Sequence, residues 1–257
     1  MKEEILRKLD EIEAKENVRI LFCAESGSRA WGFASPDSDY DVRFIYIRRT
    51  EDYLRLNEMR DVIEWQLDDT LDINGWDLQK ALRLLYKSNP ALFEWSHSPI
   101  VYKNTPEWGT ISTVLDRYFV TKLGVYHYYH MAHRNYREFL QTEMVKLKKY
   151  FYVLRPLLAC EWILKHSTPP PMLFTELTDD CLPEDLREPV DALLRKKMAS
   201  SELGQGKRID ALNRYIENGF NRIEKELEQM KNVRNTDWMT LNDIFLKVLY
   251  GTAERSA

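Results

Sequence analysis

Ile5, Leu6, Leu9 and Ile12 recur at helical spacing between charged residues, so the pattern predicts an amphipathic helix near the start of the chain. The run Val18-Arg19-Ile20-Leu21-Phe22-Cys23 is apolar and rich in β-branched residues, which predicts a buried strand. Val42-Arg43-Phe44-Ile45-Tyr46-Ile47 alternates and predicts a second strand; residues 61–67 and 70–76 predict a third and a fourth. Between them, residues 48–57 are charged and mixed, the composition of a connector with a helical turn. Residues 79–87 carry Ala81, Leu82, Leu84 and Leu85 on one side of a helix that ends before Asn89-Pro90, and Pro90 opens a further helix through Leu92, Phe93 and Trp95. Beyond residue 103 the period becomes helical almost throughout. Helices are expected over 111–123, 126–142, 145–165, 184–200, 207–231 and 238–250, with the prolines at 169–171 interrupting the series and Pro156 kinking the third or marking a boundary. The pattern thus divides the chain into a strand-bearing part, 1–103, and an all-helical part, 104–257.

The candidate chemistry sits between the first two strands. Gly27 lacks a Cβ and lets the backbone approach a phosphate, and Ser28 adds a hydroxyl and an amide N–H. Asp39 and Asp41 are two apart, so strand geometry directs both carboxylates to one face. Two carboxylates on one face repel unless a cation neutralises them, and Mg²⁺ is the hard cation that carboxylates and substrate phosphates hold together. A plainer reading of Ser35-Pro36-Asp37-Ser38-Asp39 is a turn rich in Asp and Ser.

A Gly-Ser turn, ten further residues (29–38) and an Asp-x-Asp strand resemble the signature of the DNA polymerase β nucleotidyltransferase superfamily. Residues 25–46, Gly75-Trp76-Asp77-Leu78, Ser88-Asn89-Pro90 and Lys146-Leu147-Lys148-Lys149-Tyr150 resemble a bacterial and phage family of nucleotidyltransferases sometimes linked to RNA repair. The resemblance implies an α+β fold: a polymerase-β-like mixed-sheet nucleotidyltransferase lobe, then an all-helical lobe that binds substrate. It implies transfer of a nucleoside monophosphate from a nucleoside triphosphate to an acceptor hydroxyl, with release of pyrophosphate and with Mg²⁺ (or Mn²⁺) as cofactor. The metals would be held by Asp39 and Asp41, one of them also by a third carboxylate. Asp72, between Leu71 and Ile73, is the first candidate for that ligand; Asp77, where strand gives way to helix, reads more readily as an N-cap. Gly27 and Ser28 would take the β and γ phosphates, Arg29 would add charge, and Lys146 and Lys149, expected on one helix face, would grip the triphosphate. The acceptor could be an RNA end, a protein side chain or a small aminoglycoside-like molecule. A different class of function, a non-catalytic nucleotide-binding regulatory or antitoxin-like module, would keep the cleft without turnover.

Composition narrows the setting. The chain has 257 residues and a formal net charge of −4, an ordinary globular balance. Cys23, Cys160 and Cys181 are far apart and in no metal-binding spacing, which fits a reducing cytoplasm better than a disulfide framework. No signal-peptide pattern and no run long enough to span a bilayer is expected. Against the acidic whole, residues 121–165 hold eight Lys or Arg and three Glu, a net of +5, interleaved at first with Tyr126, His127, Tyr128, Tyr129, His130, His133 and Tyr136. Such a face can hold RNA phosphates and stack bases, and it can equally be a solvated basic helix face. The three histidines drift around a helix rather than converge, so a zinc site is not expected there.

Overall fold

The computed structural model describes residues 1–68, 70–199 and 204–253. In chain order the elements are α1 (Lys2–Glu16), β1 (Arg19–Glu25), α2 (Gly27–Ala30), β2 (Tyr40–Ile47), α3 (Thr50–Tyr53), β3 (Val62–Leu67), β4 (Leu71–Asp77), α4 (Leu78–Tyr86), α5 (Pro90–Ser96), β5 (Val101–Asn104) and α6 (Pro106–Ser112). There follow α7 (Thr121–Phe139), β6 (Met144–Lys146), α8 (Lys149–His166), α9 (Phe174–Cys181), α10 (Arg187–Ala199), β7 (Gln205–Lys207), α11 (Asp210–Gln229) and α12 (Trp238–Ala253). The chain forms two compact units: Met1–Gly27, Asp39–Tyr118 and the segment from Asn235 on make one, Ser28–Ser38 and Phe119–Arg234 the other.

The first unit is built on a five-stranded mixed sheet of order β3-β4-β2-β1-β5. β1 is antiparallel to β2 and β5, β3 is antiparallel to β4, and β2 and β4 run parallel. Ile5, Leu9 and Ile12 of α1 join Ile20, Cys23, Val42, Phe44 and Ile73 in one core cluster, so α1 covers one face. On the other side Phe22 stacks on Trp108 of α6 with ring centroids 4.7 Å apart, and Trp76 meets Trp95 of α5 at 3.9 Å. Gly75 lets β4 pass under Phe44, because a Cβ there would lie 2.1 Å from the ring. α12 returns to this unit late in the chain: Trp238 stacks on Tyr86 and Phe245 meets Tyr53 edge-on.

The second unit is helical, with α7 and α8 at its centre and α9, α10 and α11 around them. Its core includes Phe33, which packs on Phe151 and Phe174, so the segment after Gly27 is held by the helical unit. Tyr150 donates to Asn213 Oδ1 (2.6 Å) and accepts from the Ile209 amide (2.8 Å), fixing α8 to the start of α11 through a buried polar contact.

Several helical boundaries differ from the pattern. The expected helix 111–123 is broken into α6, a single 3-10 turn at Leu115–Tyr118, and the start of α7, because the Ser112 and Thr113 hydroxyls bond back to the Gly109 and Thr110 carbonyls. The helix expected over 126–142 runs earlier, from Thr121. Those expected from 145 and from 207 start later, at Lys149 and Asp210, since Met144–Lys146 pairs antiparallel with Gln205–Lys207. Lys146 and Lys149 therefore do not share a helix face: one ends β6 and the other opens α8. The helix expected over 184–200 is a 3-10 turn, Glu184–Leu186, followed by α10, and residue 200 lies outside the described residues. β5 and α9 were not expected. Pro156 lies buried inside α8. Among the described residues no helix is long and apolar enough to cross a membrane.

Candidate active site

The parallel pairing of β2 with β4 sets Asp41 directly opposite Asp72. Asp41 and Arg43 alternate with Val42 and Phe44, which pack in the cluster under α1, so they project from the opposite face. There the Arg43 guanidinium bridges the carboxylates: Nη2 donates to Asp41 Oδ1 at 3.1 Å and to Asp72 Oδ2 at 2.6 Å, while Nη1 donates to the Val42 and Asp72 carbonyls. Burial raises the Asp41 pKa above its ordinary value; Arg43 opposes the shift, and Asp72 and Asp39 add to it by like-charge repulsion. Asp39 stands just before β2, so it joins the carboxylates through the field it exerts on Asp41.

Two backbone features hold Asp41. Gly27 has φ +60°, and a Cβ on it would lie 2.0 Å from Asp41 Oδ2, so only glycine allows the turn to close on the carboxylate. Glu25, fully buried at the end of β1, accepts the Asp41 amide on Oε1 at 2.7 Å and a hydrogen bond from the Tyr102 hydroxyl on Oε2. The Ser26 amide donates to the Asp41 carbonyl at 2.8 Å, and the Ser98 hydroxyl to the Glu25 carbonyl at 2.6 Å. Burial and the Glu25 carboxylate raise the pKa of Tyr102, keeping it a donor.

Asp77 has a different role. Its side chain caps α4 by accepting the Gln79 amide at 2.8 Å and receives the Tyr53 hydroxyl at 2.8 Å, and it is 4 % exposed. Burial raises its pKa, against the pull of those two hydrogen bonds.

The other expected site residues lie in the helical unit. Ser28 gives its carbonyl to the Phe33 amide, and Arg29 Nη2 donates to the Ser38 carbonyl at 2.6 Å, tying the two ends of the 29–38 segment. Lys146 is exposed at the end of β6. Lys149 sits over the rings of Phe139 (3.7 Å) and Tyr152 (4.9 Å), with its pKa lowered by burial.

The oxygen donors of Asp41 and Asp72 suit Mg²⁺, which takes one or two carboxylates and completes its shell with substrate phosphates and water. Among the described residues no three acidic, histidine or cysteine side chains converge as a ready-made metal cage. Arg43 and Glu25 were not singled out from the sequence. Arg43 was within reach of the reasoning that paired Asp39 with Asp41, because period 2 continues to 43; Glu25 was not, because its partners come from β2 and β5.

A mixed-sheet unit with paired strand carboxylates beside a glycine turn defines the polymerase-β-like nucleotidyltransferase class. The chain belongs to the RlaP family, the RNA repair pathway DNA polymerase beta family, whose model matches residues 1–247. It is 45 % identical over 253 residues to YcgL, an uncharacterized protein of Bacillus subtilis (strain 168), covering 97 % of this chain and 96 % of that one. A crystal structure of a nucleotidyltransferase-like protein from Exiguobacterium sibiricum aligns with 89 % of this chain and 75 % of its own at 13 % identity and a TM-score of 0.31, a likeness too slight to bear on function.

Proposed function

We propose that the protein is a nucleotidyltransferase that moves a nucleoside monophosphate from a nucleoside triphosphate to an acceptor hydroxyl, with an RNA end as the acceptor. The observation that carries this reading is the facing pair Asp41 and Asp72 on parallel strands, with the Gly27 turn closed on Asp41. In the reaction the acceptor oxygen bonds to the α-phosphorus, the bond from that phosphorus to pyrophosphate breaks, and the hydroxyl proton passes to water. Asp41 and Asp72, with Asp39 beside them, would hold Mg²⁺ or Mn²⁺, which would supply positive charge to the phosphates and lower the pKa of the acceptor hydroxyl. Asp41 and Asp72 place that charge, and Glu25 keeps Asp41 in position through its amide. Arg43 holds the two carboxylates together from within the sheet. Free cysteines at 23, 160 and 181 agree with work in a reducing compartment.

One observation favours a second reading, a nucleotide-binding regulatory or antitoxin-like module without turnover: Arg43 already neutralises the carboxylates from within the chain. The two separate in one experiment. Purified protein is incubated with each NTP labelled at the α-phosphate, Mg²⁺ and cellular RNA. An enzyme transfers label and loses the transfer on Asp41→Asn; a module binds NTP with no label transferred.

A further inference from the structure

The exposed side of α7 carries a cavity of about 690 Å³, lined by Tyr126, His130, His133, Arg134, Arg137 and Glu138 among others. Tyr126, His130, Arg134 and Arg137 follow at intervals of four, four and three, so they form one stripe along the helix, about 16 Å long at 1.5 Å per residue. The stripe has two kinds of group. At one end are rings: Tyr126 is 55 % exposed and meets His130 edge-on with centroids 4.1 Å apart. Behind them Tyr129 stacks on His133 at 5.7 Å, and His133 rests against Phe220 of α11 at 5.1 Å, so the rings stand on a packed base. At the other end are Arg134 and Arg137, both exposed, and no ion pair or hydrogen bond engages either among the described residues.

Several exposed arginines among the described residues have an acid close by, Arg7 with Glu11, Arg60 with Glu64, Arg208 with Asp210 and Arg222 with Glu161. On the α7 stripe the acids are Glu138 at the rim and Glu224 of α11, which acts on Tyr129 and His133. Burial, with Arg137 and His130, lowers the His133 pKa, while the arginines keep their positive charge. Rings offered edge and face to solvent beside unengaged guanidinium groups match a ligand with flat apolar faces and regularly spaced anions. An unpaired nucleic-acid strand has that chemistry; a duplex hides its base faces and a triphosphate alone uses only the arginines.

We propose that this face of α7 binds an unpaired RNA strand, with phosphates on Arg134 and Arg137 and a base stacked on Tyr126 beside His130. The proposal rests on the transferase reading only for the choice of RNA, the acceptor strand. It is tested by fluorescence anisotropy with a labelled 20-nucleotide oligouridylate, without metal or NTP, across a salt series. The full chain is compared with Arg134→Ala/Arg137→Ala, Tyr126→Ala and a control Lys2→Ala/Arg7→Ala that removes equal charge from α1. Circular dichroism checks that each variant is folded.

The arginine pair should flatten the plot of log affinity against log salt by roughly 1.4, from about 0.7 per phosphate contact. Tyr126→Ala should weaken binding roughly 5- to 150-fold with the slope unchanged. The α1 control should bind as the unaltered protein does, and a duplex of the same length should bind more weakly. The proposal is overturned if the unaltered protein binds no RNA at any salt, or if the arginine and tyrosine variants bind like the control. A chain that binds RNA in this way yet transfers no nucleotide would overturn the transferase reading and leave the α7 site standing.

Discussion

Gly27→Ala separates the two reasons for a glycine at that position. The residue has φ +60°, where a side chain costs about 1–2 kcal/mol of backbone strain. For a chain of this size that corresponds to a fall in Tm of roughly 2–8 °C. The added Cβ would also lie 2.0 Å from Asp41 Oδ2 and 2.9 Å from Cγ, whereas ordinary contact begins at 3.4 Å, so the carboxylate must withdraw by more than an ångström. A displacement of that size in a reacting group costs roughly 100-fold in rate, about 2.7 kcal/mol. In an Asp41→Ala background those atoms are gone and the nearest remaining one, the Cβ of residue 41, is 3.4 Å away, leaving backbone strain alone. Thermal melts of the four proteins of this double-mutant cycle give the coupling, and steady-state transfer by Gly27→Ala gives the kinetic loss. Gly27→Ala with unaltered kcat/KM would refute the view that this turn fixes Asp41.

Asp72→Asn should cost far more activity than Asp77→Asn, since an amide still caps α4 but binds Mg²⁺ poorly; initial rates over a Mg²⁺ titration decide, and the reverse ranking would move the third ligand to Asp77. Burial raises the Asp41 pKa from its ordinary value, so activity should fall as pH drops through that raised pKa, and Arg43→Ala, which removes the opposing charge, should move the acid limb to higher pH. An acid limb unmoved or moved down in the kcat/KM profile would contradict this. Asp39→Ala and Asp41→Ala should abolish transfer while keeping the fold: because Asp41 has a raised folded-state pKa, its ionised form costs stability above that pKa, and its removal should leave Tm at pH 7 unchanged or higher. Glu25→Ala should lower kcat more than it raises KM, with Glu25→Gln retaining more activity because its amide oxygen can still accept from Asp41 N–H; equal losses would place the effect in the buried charge.

Much of the sheet was legible because its signals are local. Leu71 to Asp77 alternates buried and half-buried residues along the whole strand, and the period alone gives both the strand and the outward setting of Asp72. The N-cap role of Asp77 follows from its place before an apolar helical run. What stayed hidden depends on partners distant in sequence. β6 and β7 are three residues each and exist because they pair across more than fifty residues, so a window over Met144 to Lys149 reads as the start of a helix. β5, with exposed residues at both ends, has no alternating pattern and is a strand because β1 accepts it. The Arg43 bridge needed the parallel register of β2 and β4 as well as the period.

The most direct measurement of the proposed chemistry uses one NTP labelled in parallel at the α- and γ-phosphates, with Mg²⁺, cellular RNA and the purified full chain. The α label is expected in RNA and the γ label in free pyrophosphate, both abolished by Asp41→Asn and by Asp72→Asn. Transfer of the γ label to the acceptor, or α transfer that survives both substitutions, would contradict nucleotidyl transfer at the facing carboxylates.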